Sequence, residues 1–147
     1  MDALLQKIDT LINARPIDFG QQPDQNASQS MLDAYGQQME DYLSVLDDLI
    51  QTVGSSLKRL RDKQQHFQRL VLEAGQTIEQ FQKEGQRSLA LAARNHSDAL
   101  QQTANAYQEE ADALNARFLA LMDVKLRLDA RLTEVNQRRV GLFEPAF

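Results

Sequence analysis

The chain reads as an all-α protein. It is predicted to be a long antiparallel coiled-coil helical hairpin with a short N-terminal amphipathic helix. Three observations predict it. From Leu32 to Gly85, steps of four and three residues alternate without a slip: Leu32, Gly36, Met39, Leu43, Leu46, Ile50, Val53, Leu57, Leu60, Gln64, Phe67, Val71, Ala74, Ile78, Phe81, Gly85. Their mean of ~3.5 residues is the seam of a coiled coil. A second seam of the same period runs through Leu100, Ala104, Tyr107, Ala111, Leu114, Phe118, Leu121, Lys125, Leu128, Leu132, Val135, Arg139 and Leu142. Third, the 147 residues are rich in Gln, Ala and Leu, hold only 6 Gly and no Trp, and carry no period-two run of β-branched residues. Such a composition suits long helices and argues against a sheet.

Residues 1–15 are read as the short helix. Leu4, Leu5, Ile8, Leu11 and Ile12 fall on one helical face. Pro16 ends it, because the residue before a proline is biased out of the helical region. Residues 16–29 read as a linker, with Pro16, Pro23 and Gly20 among Gln, Asn and Ser. Ile17 and Phe19 are candidate anchors within it. A helix this short is marginal alone, so it is expected to dock on the main body, a partner or a membrane.

The hairpin is assigned to residues 30–141, with Ser28 or Ser30 as the cap of its first helix. No proline lies between Asp24 and Glu144. The frame passes through Gly54 and Gly75 unbroken, so the helix is read as continuous there. The two seams are out of phase between Gly85 and Leu100, and a turn is the simplest cause. One candidate is residues 84–87, with Gly85 as a left-handed cap. The other is residues 94–98, where Asn95 ends one helix and Ser97 and Asp98 start the next. The turn at 94–98 is preferred. It sets Ala74 opposite Phe118, Phe81 opposite Ala111 and Gly85 opposite Tyr107, and brings Lys58, Lys63 and Lys83 near Glu134, Asp129 and Glu109. The turn at 84–87 sets Phe67 opposite Ala104 and Phe81 opposite Ala90. Residues 142–147 are read as a C-terminal tail. A hairpin buries one stripe on each helix, so the bundle is expected to be completed within the chain or by dimerisation.

The net charge of −5 brings no general attraction to nucleic acid or anionic lipid. The basic residues Lys58, Arg59, Arg61 and Lys63 stand among acidic ones, as in ion pairing, and no nucleic-acid partner is expected. The chain has no cysteine, which removes disulfides and thiolate metal sites. The start lacks a basic segment and an apolar core of signal-peptide length, and no stretch approaches the ~18 apolar residues that span a bilayer. A cytoplasmic location is expected. His66 and His96 sit in no metal-ligand spacing, no nucleophile stands beside a base, and there is no glycine-rich phosphate loop. No catalytic, cofactor or metal site is therefore assigned, and the chain is read as a non-enzyme.

The candidate functional residues are those of the seams. Leu43, Leu46, Ile50, Val53, Phe67, Phe81, Phe118 and Leu121 are read as the partner-facing seam. Gln64, Lys125 and Arg139 replace apolar seam residues and are read as setting register, since a polar seam residue trades stability for pairing choice. Leu4, Leu5, Ile8, Leu11 and Ile12 are the docking face of the first helix. The stretch Leu121–Asp129 resembles the opening of the rod-end motif of intermediate filaments, but Thr133-Glu134-Val135-Asn136-Gln137 departs from its continuation, and no family is assigned. By size and layout the chain is similar to small hairpin proteins of bacterial export systems, a likeness that implies a stalk or escort-chaperone role. The expected function is a coiled-coil adaptor, structural component or escort chaperone that binds unidentified protein partners through helix–helix seams. A homo-oligomer is expected, with a dimer favoured. The alternative is a membrane-surface scaffold whose N-terminal helix inserts.

Overall fold

A computed structural model of the chain describes residues 2–14 and 25–143. Among the described residues every element is helical. Helix α1 spans Asp2–Asn13, α2 spans Gln25–Lys83 and α3 spans Arg87–Phe143. The two long helices, of 59 and 57 residues, pack against each other as an antiparallel hairpin. Ile17, Phe19 and residues 144–147 lie outside the described residues.

Helix α2 starts at Gln25, upstream of the expected Ser28 or Ser30. Nothing after Pro23 forbids helical torsions, so the helix takes in part of the expected linker. It then runs unbroken through Gly54 and Gly75. Gly54 has a packing reason. A Cβ there would lie 3.4 Å from Cε2 of Phe118, so the missing side chain makes room for that ring.

The turn falls at Glu84–Gln86, not at the preferred site of residues 94–98, which lie inside α3. Gly85 takes the left-handed conformation, with φ at +71°. The Gln86 amide donates to the Phe81 carbonyl at 2.9 Å, and the Gly85 amide donates to the Gln82 carbonyl at 3.2 Å. This is the Schellman arrangement, which serves carbonyls that the ending helix leaves without donors. The Gln86 carbonyl then accepts from the Ala90 amide at 3.0 Å, and α3 begins.

The physical reason for the correction lies in small residues. The second frame, carried back towards the turn, reaches Ser97, Ala93 and Ala90. Their side chains are too small to look like a seam in sequence. In the observed register they share layers with Ala74, Ile78 and Phe81; Ile78 and Phe81 on α2 fill the space that Ala93 and Ala90 on α3 leave, while the layer of Ala74 and Ser97 is small on both sides. Ala90 is buried there. The pairs Ala74–Phe118, Phe81–Ala111 and Gly85–Tyr107, and the three lysine–carboxylate pairs that went with them, belong to the other register and do not form.

The chain divides into two compact units. Unit 1 holds Met1–Gln51 and Leu119–Phe147, so it contains α1 with one end of α2 and one end of α3. Its core is Ile8, Leu32, Tyr35, Met39, Leu46, Leu121, Val124, Leu128 and Val135, all buried. Unit 2 is Thr52–Phe118, two helices and the turn. Its buried apolar residues are Val53, Leu57, Ala90, Ala104 and Ala111. Three of these five are alanines, so unit 2 hides much less large apolar surface than unit 1.

Candidate functional site

The polar seam residues each reach across from one long helix to the other. In unit 2 the Gln64 side-chain amide donates to the Gln108 side-chain carbonyl. In unit 1 Lys125 Nζ lies 2.6 Å from Asp47 Oδ1, and Arg139 Nε donates to Asp33 Oδ1 at 2.8 Å. Arg139 also reaches Asn136 Oδ1 at 3.2 Å. The hydrogen bond from Lys125 to Asp47, with the attraction between their charges, holds the ammonium above its usual range; partial desolvation opposes this, and Asp129 adds to it. A long polar side chain at a seam position keeps its tip in water while its stem covers the seam. These three do so and also meet a partner on the facing helix. Gly36 gives Arg139 its place: a Cβ on Gly36 would stand 2.8 Å from Arg139 Nη1.

The apolar seam residues separate by unit. Leu46 and Leu121 are fully buried in unit 1, while Leu43 and Ile50 are part-exposed. In unit 2 Val53 is buried, but Phe67, Phe81 and Phe118 are part-exposed, as are Leu60, Ile78, Tyr107 and Leu114. Phe67 stacks on Tyr107, with ring centroids 5.4 Å apart and planes 26° apart. Lys63 Nζ sits 5.8 Å from the Tyr107 centroid, in cation–π range. Arg61 Nη2 donates to Asn115 Oδ1 at 3.3 Å. The aromatic layer of unit 2 is thus ordered by contacts across the hairpin, yet water still reaches its edges. Three large apolar side chains on this unit are exposed, Leu72 at 71%, Leu91 at 60% and Leu89 at 48%.

Helix α1 supplies the third helix of unit 1. Ile8 and Leu11 are buried, while Leu4, Leu5 and Ile12 are part-exposed. Polar side chains of α2 and α3 hold its last turn. The Tyr35 hydroxyl donates to the Leu11 carbonyl, and Arg131 Nη2 donates to the Ala14 carbonyl at 2.9 Å. Burial pulls the Arg131 guanidinium down, but its hydrogen bonds to Tyr35 and Glu134 outweigh this and hold it above its usual value. Arg127 Nη2 lies 3.2 Å from Asp9 Oδ1, and its Nε lies 3.1 Å from Asp123 Oδ2. The contact with Asp9 is ionic rather than a directed hydrogen bond, for Asp9 Oδ1 is buried with no hydrogen-bond partner; Arg131 Nε is in the same condition.

Tyr35, Arg127 and Arg131 are the residues that the seam pattern alone misses. They sit beside the seam, where heptad spacing carries no expectation. A signal for them exists. The apolar stripe widens at Tyr35, Tyr42 and Val124, which flank the seam on one side, and a widened stripe is the footprint of a further helix.

His66 and His96 are both exposed, and His66 meets only the edge of Phe67, with centroids 5.5 Å apart. Among the described residues no three His, Asp or Glu side chains group to hold a metal ion. No helix among them is long and apolar enough to cross a membrane. No family model matches the chain, and neither a curated protein nor a solved structure matches it.

Proposed function

We propose that the chain is a non-enzymatic coiled-coil adaptor that binds helical segments of partner proteins along the seam of unit 2. One observation carries the reading. The aromatic and aliphatic seam residues of unit 2, Phe67, Phe81, Tyr107, Leu114 and Phe118, stay part-exposed, whereas Met39, Leu46, Leu121, Leu128 and Val135 on the seam of unit 1 are fully buried. A two-helix surface of this kind gains by accepting a third or fourth helix, because apolar area leaves water on both sides. Charge supports the same choice. Unit 2 carries 9 basic and 8 acidic residues, so it does not repel an incoming chain by net charge, whereas unit 1 carries 7 basic and 13 acidic residues. Ile8 and Leu11 of α1 are spent on the protein core, which favours a protein-binding role over insertion of α1 into a lipid surface. A second copy of the chain is one eligible partner, and the arrangement would then be a homodimer.

The test uses full-length tagged chain in extracts of its native source, with mass spectrometry of what is retained. Wild type is expected to retain a discrete protein that Phe67→Ser and Tyr107→Ser chains lose, with helix content by circular dichroism unchanged. Retention that ignores both substitutions overturns the reading. Co-sedimentation with liposomes in the absence of any protein partner would replace it with the lipid-surface role.

A further inference from the structure

The groove that holds α1 is built to read the end of a helix. Carbonyls in the last turn of a helix lack intrahelical donors, and that end favours cations. Here the Leu11 carbonyl accepts from the Ala14 amide at 3.3 Å. The Tyr35 hydroxyl from α2 donates to it. Arg131 from α3 donates to the Ala14 carbonyl at 2.9 Å. Arg127 provides a counter-charge for Asp9 one turn earlier. Ile8 and Leu11 are the buried apolar contacts of the helix. The groove therefore meets a short helix through two apolar residues three apart, an acidic residue between them and the carbonyls of its C-terminal turn.

The occupant fits this acceptor loosely. Asp9 Oδ1 has an ionic contact with Arg127 but no hydrogen bond, and Arg131 Nε is buried with no hydrogen-bond partner, which is costly for a donor that water would otherwise satisfy. An open groove of about 710 Å³ remains along α1, lined by Gln6, Thr10, Tyr35, Gln38 and Tyr42 among others. The helix has 12 residues, too few to be stable once it leaves its dock. A short helix joined to its own body by ten residues, 15–24, is the kind of segment that two copies can exchange.

We propose that this groove is a helix-acceptor site that α1 fills reversibly in its own chain, and that a second copy of the chain fills it with its own α1. The second copy is the fitting occupant because it carries Ile8, Asp9, Leu11 and Ala14 in the arrangement the acceptor reads. The site is distinct from the seam of unit 2.

Two full-length single-cysteine chains test this, Asp9→Cys and Arg127→Cys. The chain has no native cysteine, and the two side chains meet in the dock, so a short bis-maleimide crosslinker spans them. The ion pair lost is about half exposed, so its loss leaves α1 docked by its other contacts. The two chains are mixed over a range of concentrations and crosslinked. Exchange is expected to give a mixed dimer whose yield rises with concentration and saturates. Ile8→Asp placed in the Asp9→Cys chain should lower that yield about ten-fold, since the buried anchor is gone. A doubly substituted Asp9→Cys/Arg127→Cys chain should crosslink within itself when dilute. Absence of mixed dimer while the double chain closes on itself overturns the exchange. A mixed dimer unaffected by Ile8→Asp overturns it as well, for the link would then come from collision. Loss of the seam partner by Phe67→Ser, with α1 exchange intact, separates this site from the adaptor reading.

Discussion

Gly75 and Gly85 share a residue type and have opposite consequences. Gly75 is helical with nothing within 4 Å of the place a Cβ would take. Gly75→Ala is therefore expected to stabilise the chain by about 0.5–1 kcal/mol. Gly85 turns the chain at φ +71°, and Gly85→Ala should destabilise it by about 1–2 kcal/mol. Urea unfolding measures both, and equal signs would contradict the turn. Lys125 gives a pH test. Its folded-state value is raised, chiefly by the hydrogen bond to Asp47. Its stabilisation is thus complete below the ordinary lysine value of about 10.4 and is lost as pH rises through the raised value. The melting temperature of wild type should fall further over that alkaline window than that of Lys125→Met; equal falls would contradict the pairing. At this scale Gln64, Lys125 and Arg139 are legible in the sequence as polar intrusions on an apolar seam. Their partners Gln108, Asp47 and Asp33 are not legible, because each partner depends on where the chain turns.

At the scale of elements, that turn is where reading the sequence loses its way. Ala90, Ala93 and Ser97 continue the second seam with side chains too small to announce it, and Asn95-His96-Ser97-Asp98 offers capping residues that the helix does not use. The register has a direct check. Phe67→Cys with Ala104→Cys should oxidise to an intrachain disulfide, because the two share a layer. Ala74→Cys with Phe118→Cys should not, since these positions are separated by roughly 30 Å of helix rise. The opposite outcome would restore the turn at 94–98. The amphipathic face of α1 is plain in Ile8 and Leu11, while its dock at Tyr35 and Arg131 requires the third dimension. Tyr35→Phe removes the donor to the Leu11 carbonyl, a loss of about 1 kcal/mol. Trypsin should then cut after Lys7 about five-fold faster, if cleavage follows the open population. An unchanged rate would mean that the hydroxyl does not hold α1.

For the molecule as a whole, the consequential feature is the difference between its units. Neither heptad frame marks it, for one runs straight through Gln51 and Thr52 and the other through Phe118 and Leu119. Unit 1 has α1 as a third helix and its Leu46, Leu121 and Leu128 are fully buried, while unit 2 has two helices and its Phe67, Phe81 and Phe118 keep part of their surface in water. Opening free energy follows buried apolar contact, so the two units should not exchange amide hydrogens alike. Hydrogen–deuterium exchange with mass spectrometry on the purified chain measures this. Peptides covering Phe67 and Tyr107 are expected to exchange roughly ten-fold or more faster than peptides covering Leu46 and Leu128. Equal protection, or slower exchange in unit 2, would mean that its seam is already closed and has no face left for a partner helix.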